Sequence, residues 1–155
     1  PKSTEYLPSD VEALKGVANA CYKQIVDGAG GCLFAAISGV QHWRLFDWLN
    51  AATGWELSGD EYMEIGRRIQ TLRQHFSVRH GVQPAAVALH HRMAAPLESG
   101  PTRGRAAPIP EMVRLHWRHF GWDEETGAPT DETLEQLGIP ALLDSGPEMS
   151  TVPLP

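Results

Sequence analysis

The chain has 155 residues, 42% hydrophobic and 21% charged, with a formal net charge of −6. That length suits one domain with its own core, and the acidic balance gives no electrostatic support to a nucleic-acid partner. No apolar run approaches the roughly 20 residues of a membrane span, PKSTEYLPSD is no secretory signal, and two cysteines make no disulfide framework, so a reducing, cytoplasmic compartment is expected.

Periodicity is helical nearly throughout. Ser9 and Asp10 form an N-cap before VEALKGVANACYKQIV, with Leu14, Val17, Ala18, Cys21 and Ile25 on one stripe. That helix should end at Asp27-Gly28. After a glycine turn, CLFAAIS reads as a short apolar helix. QHWRLFDWLNAAT follows, carrying Trp43, Phe46 and Leu49, with Gly54 as its stop. Ser58 and Glu61 make a capping box for the longest helix, whose buried stripe is Tyr62, Ile65, Ile69, Leu72 and Phe76 and whose stop is Gly81. A weaker helix is predicted from about Pro84 to Met93. PLESGPTRGRAAPIP lacks periodicity and is a long loop. Pro110 starts EMVRLHWRHFG, GWDEETGAPT is a turn, and Thr130 caps DETLEQLG. The class is all-α, an irregular domain of about six helices spanning 1–155. Its core is expected over about 10–142, with a weakly packed tail over 143–155. Pro1 in place of Met fits an excised domain as well as loss of an initiator Met.

The stretch IVDGAGGCLFAA supports two readings. In the plainer one the glycines end a helix and Cys32 is a small buried hydrophobe. In the other Cys32 ligates a metal cluster. Glycines would let backbone approach a bulky inorganic ligand, and Asp27 could accept two hydrogen bonds from a planar N–H pair such as a pterin edge.

Other signals are weaker. His116 and His119 share a helix face, and His75, His80, His90 and His91 cluster in sequence, but no H-E-x-x-H occurs. They read as polar-face or helix-end residues. Arg67, Arg68, Arg73 and Arg79 read as a solvated face pairing with Glu61 or Glu64. The five tryptophans read as core. GPTRGR lacks the end of a P-loop.

The order of blocks adds specificity. From Val26 onward the chain resembles the C-terminal part of the aldehyde:ferredoxin oxidoreductase family. The family's DxxGxC step stands here as Asp27 to Cys32, followed by Leu33-Phe34. Then come TGWELSGDEY, GRRIQTLRQHFSVRHG, LHHR and WRHFGWDEETGAPTDETLEQLG, in the family's order. Arg67 stands where the family usually has Glu, Ser77 where it has Asn, and Gly31 where DxxGLC has Leu. Ala85-Ala86-Val87 replaces an acidic pair and His90 a proline.

The resemblance implies a tungsten or molybdenum enzyme with a bis-pterin cofactor and a [4Fe–4S] cluster. It would oxidise a small aldehyde-like substrate to an acid and pass electrons through the cluster to ferredoxin or a similar carrier. It implies Cys32 as the fourth cluster ligand, Asp27 as a pterin-contacting carboxylate and Leu33 as a position whose backbone lies against a pterin. A [4Fe–4S] cluster takes four thiolates; this chain has two, and Cys21 lies on the core stripe. The remaining ligands and the catalytic acid–base residues would lie in N-terminal domains of the same enzyme. None of the catalytic residues is expected in this fragment, and the isolated chain is expected to be inactive and cofactor-free. The alternative is a helical interaction or scaffold domain without cofactor chemistry, which would need neither Asp27 nor Cys32.

Overall fold

The computed structural model describes residues 7–32, 34, 44–101 and 103–140. Six α-helices lie among them: α1 (Asp10–Gly28), α2 (Leu45–Thr53), α3 (Gly59–Arg79), α4 (His91–Ala94), α5 (Ile109–Phe120) and α6 (Asp131–Gln136). A 3-10 turn spans Pro84–Ala86. The described residues hold no strand, only isolated bridges at Leu97–Arg103 and Trp122–Pro129. None of their helices is long and apolar enough to cross a membrane. The all-α expectation holds. Both the predicted helix after Cys32, apart from Phe34, and the tail over 141–155 lie outside the described residues.

The helix starts follow the sequence. The Ser9 hydroxyl accepts from the Glu12 amide. Ser58 and Glu61 satisfy each other's backbone donors in a full capping box, and Thr130 accepts from the Thr133 amide. Such a cap stabilises a helix by about 1 kcal/mol. Gly54 and Gly121 stop α2 and α5 in the left-handed region, at φ 75° and 76°.

α1 is the hub, packing on both α3 and α5. At the α1–α3 crossing the backbones nearly touch: a Cβ at Gly66 would lie 2.8 Å from the Cys21 carbonyl carbon and closer still to its oxygen. One core cluster joins Val17 and Cys21 to Phe120 and Trp122. A second joins Ile25 and Val26 to Leu45 and Tyr62, and a third sets Leu134, Leu137 and Ile139 against Leu72. Each such large apolar side chain, fully buried, contributes about 1.5–3 kcal/mol. Asn50 ties the second cluster together. It accepts from the Tyr62 hydroxyl (2.8 Å) and donates to the Leu57 carbonyl (2.8 Å), while the Tyr62 ring stacks on Phe46 at 4.7 Å. This latch holds α2 against the first turn of α3.

Several expectations are corrected by this packing. Leu14 is exposed, and the buried face of α1 runs through Ala13, Val17, Cys21, Gln24, Ile25 and Val26. A helix wedged between two others buries a rotated, wider face than a single stripe. Phe76 is 57% exposed; α6 covers α3 at Leu72, and one turn further on the Phe76 ring rests on His80 instead (4.0 Å). Trp122 is buried, but Trp48 and Trp55 are exposed; Trp43 lies outside the described residues. The arginines do not pair with Glu61 or Glu64. Arg67 donates to the Phe120 carbonyl at 3.0 Å, closing the C-terminus of α5, and Arg73 donates to Gln24 at 2.8 Å. Glu61 is spent on the Ser58 cap. Pro84 to Met93 is no single helix, because Ala85 to Met93 is exposed and buries no face to offset the cost of helix nucleation.

Candidate functional site

The turn that carries Asp27 and Cys32 is set by the end of α1. The Gly31 amide donates to the Val26 carbonyl (2.8 Å) and the Gly30 amide to the Asp27 carbonyl (3.0 Å). Gly30 sits at φ +74°. These two bonds around a left-handed residue form a Schellman cap, which glycine adopts without a Cβ penalty. The helix therefore ends at Gly28, where Asp27-Gly28 predicts, and Gly30 closes the cap two residues on. The D-x-x-G-x-C spacing acquires a physical meaning: Asp27 occupies the last helical turn, Gly30 reverses the chain, and Cys32 leaves in a new direction.

Asp27, Gly28, Ala29, Gly30 and Cys32 are all exposed, and Gly31 is half-buried. Cys32 is a free thiol at the surface, whereas Cys21 is free and buried, 3% exposed. Among the described residues nothing buries Cys32, unlike the plainer sequence reading of it as a small buried hydrophobe. Burial pushes the Cys21 thiol up, against an opposing influence of Arg67. Alkylation under native conditions is therefore expected to label Cys32 first and Cys21 only on unfolding; mass mapping of the adducts checks this, and early labelling of Cys21 would contradict the structure. Leu33 lies outside the described residues.

Sequence reasoning missed Lys23. Its ammonium forms an ion pair with the Asp27 carboxylate one turn on. The i, i+4 spacing was the available signal, although Lys before Asp is the weaker order. The pair opposes an unfavourable placement, since a carboxylate in the last turn faces the negative end of the helix dipole. No basic residue occupies that last turn.

No group of three or more metal-ligating side chains gathers among the described residues. His119 is set against Asp10 at 3.1 Å. His116 packs on Phe120 (4.9 Å), and burial followed by the nearby His119 charge pushes its pKa down. His116 thus serves packing and His119 surface pairing.

The family described as "Aldehyde ferredoxin oxidoreductase, domains 2 & 3" matches residues 2–139. The chain belongs to this family. It is 34% identical over 122 residues to a tungsten-containing aldehyde ferredoxin oxidoreductase of Thermococcus kodakarensis, covering 77% of this chain and 20% of that one. It is 36% identical over 118 residues to the protein of the same name in Pyrococcus furiosus, covering 74% and 19%. An aliphatic sulfonate oxidoreductase, WOR-like subunit, from P. furiosus is 29% identical over 146 residues, covering 88% and 22%. The chain thus spans about one fifth of the length of these aldehyde ferredoxin oxidoreductase relatives.

Within this tungsten oxidoreductase family the donor set can be tested against the cofactors. One surface thiol at a glycine turn fits a single ligand of an iron–sulfur cluster. One exposed carboxylate with an oxygen beyond its ion pair fits a planar N–H donor edge. A whole cluster does not fit, because the second thiol is buried in the α1–α3–α5 core.

Proposed function

We propose that this chain is the C-terminal helical part of an enzyme that oxidises an aldehyde-type carbonyl to the acid and delivers the electrons to ferredoxin or a similar carrier. The single observation that carries this reading is the joint exposure of Asp27 and Cys32 on one capped turn of a family member, at the family's spacing. A carbonyl substrate is preferred to a sulfonate because the two aldehyde relatives, at 34% and 36% identity, stand nearer than the sulfonate relative at 29%.

In this reading the net change is aldehyde plus water to acid, two protons and two electrons. When bound, the tungsten or molybdenum bis-pterin centre supplies the two-electron oxidation and the [4Fe–4S] cluster the one-electron relay. The chain's own residues hold those groups. Cys32 would offer a thiolate to iron and Asp27 carboxylate oxygens to the pterin edge, with Leu33 as the further pterin contact the family resemblance implies. Lys23 would hold the Asp27 carboxylate in place through their ion pair. The acid–base residues, the other cluster ligands and the substrate pocket are assigned to N-terminal domains, and the setting is cytoplasmic.

The test compares two proteins after anaerobic reconstitution. The 155-residue chain is expected to hold no stable cluster. The full-length enzyme should hold about four irons per chain, with tungsten or molybdenum and pterin fluorescence. It should also reduce a viologen dye when given aldehyde. A stoichiometric cluster on the chain alone, or a full-length protein without metal and pterin, would defeat the proposal and favour the scaffold alternative.

A further inference from the structure

Gln24 is the one buried polar residue of α1 among the described residues, 6% exposed, on a face whose other members are Ala13, Val17, Cys21, Ile25 and Val26. Both ends of its side chain are paired. Its Nε2 donates to Gln70 Oε1 and its Oε1 accepts from Arg73 Nη1, each at 2.8 Å. Among the described residues these are the only side-chain hydrogen bonds between α1 and α3. Gly66, Gln70 and Arg73 follow one another at i, i+4 and i+7 and so share a face of α3. At Gly66 the α1 backbone passes so close that a Cβ would lie 2.8 Å from the Cys21 carbonyl carbon. The helices thus meet at a pivot, Cys21 on Gly66, and again at a clamp one turn further along α1. A pivot alone sets their separation but lets them rock, and the apolar contacts around it are non-directional. Hydrogen bonds from one side chain to two residues of α3 are directional, so pivot and clamp together set the crossing angle. Satisfied buried polar networks fix one arrangement of a core in this way, whereas apolar groups of the same shape would serve stability about as well.

The angle has its effect at the end of the helix. From Cys21 to Gly28 α1 runs about 10 Å, so rocking by about 10° carries the turn beyond it by roughly 2 Å. A ligand constellation tolerates about 0.5 Å. We propose that Gln24, held by Gln70 and Arg73, is a positioning residue: it sets the angle at which α1 crosses α3 and so places Asp27 and Cys32 for the cofactors. It acts through the helix, not by contact with the cofactors, and the inference rests on the function proposed above.

Two variants test it. Gln24→Met keeps the length of the side chain but loses both bonds, and the half-buried Gln70 and exposed Arg73 can turn their freed groups to water. Gln24→Glu restores the clamp, because a carboxylate accepts from Arg73 and from the Gln70 amide turned over. In the 155-residue chain Gln24→Met should leave the thermal midpoint within about 3 °C of the parent. Residual dipolar couplings of the α1 and α3 amides should show the crossing angle moved by about 10° or more. In the full-length enzyme iron, tungsten or molybdenum and pterin should remain, while the paramagnetic resonance spectrum of the reduced cluster changes. There kcat for aldehyde-dependent viologen reduction should fall roughly tenfold at unchanged KM. Gln24→Glu should restore the angle and the spectrum and bring kcat back to within about twofold of the parent. If Gln24→Met keeps the parental angle, cluster spectrum or kcat, or if Gln24→Glu fails to restore them, the inference falls and the proposed function stands. A larger fall in the midpoint of Gln24→Met also overturns it, because Gln24 would then serve stability. A full-length parent without iron and pterin defeats both readings.

Discussion

Cys32→Ser in the full-length enzyme is expected to cut aldehyde-dependent reduction of ferredoxin or viologen by roughly a hundredfold or more, since even partners one shell out from a metal are worth about 10–100-fold. A serine hydroxyl is a far poorer iron ligand than a thiolate. The fold should persist, because Cys32 is exposed and the turn before it is closed by backbone bonds of Gly30 and Gly31. Asp27→Asn should act elsewhere. It keeps an acceptor but loses charge, weakening one charge-assisted bond to the pterin by about 1–2 kcal/mol. Its effect on the chain's own stability is close to neutral. Breaking the exposed Lys23 pair costs about 0.3–0.5 kcal/mol, and removing a carboxylate from the end of the helix dipole returns about as much. The two variants should thus separate by analysis: iron lost in Cys32→Ser, pterin lost with iron kept in Asp27→Asn. Four irons and wild-type electron transfer in Cys32→Ser would reduce Cys32 to an ordinary surface cysteine.

The helix ends were legible in the sequence because they are local. Ser9, Ser58 with Glu61, Gly54 and Thr130 each act within a few residues of themselves. The Asp27 to Cys32 step was legible for the same reason, though the particular glycine that turns left-handed was not; three glycines compete in that stretch, and only the hydrogen bonds to Val26 and Asp27 choose Gly30. What failed was everything that depends on which helix lies next to which. The periodicity of α1 marks an apolar stripe but does not say that two partners will flank it, so Leu14 was placed inside. Arg67 and Arg73 looked like surface residues because their acceptors, Phe120 and Gln24, are 53 and 49 residues away. Lys23 was overlooked because an exposed ion pair leaves little trace in a pattern read for burial. Exposed tryptophans mislead in the same direction: Trp48 and Trp55 are apolar by type, yet sit at the surface of this chain.

Gly66→Ala is expected to destabilise the 155-residue chain by about 2 kcal/mol, a large part of the 5–15 kcal/mol that typically holds a domain together. Alanine brings a helix-propensity gain of about 1 kcal/mol, so the local preference favours the substitution. The crossing with α1 opposes it more strongly. The new methyl would sit 2.8 Å from the Cys21 carbonyl carbon and 3.0 Å from its Cα. Both atoms belong to a helix backbone, which cannot swing aside as a flexible side chain can. The helices must separate instead. That loosens Val17 and Cys21 against Phe120 and Trp122, in a close-packed interior where small gaps forfeit contact energy. Urea denaturation should show a lower midpoint with an unchanged slope, the sign of lost stability without a change in the surface exposed. The same Gly→Ala exchange at Gly28, in α1 and with nothing within 4 Å among the described residues, should move the midpoint the other way. Equal shifts at the two positions would mean that helix propensity alone governs both, and that the close approach of α1 and α3 contributes nothing.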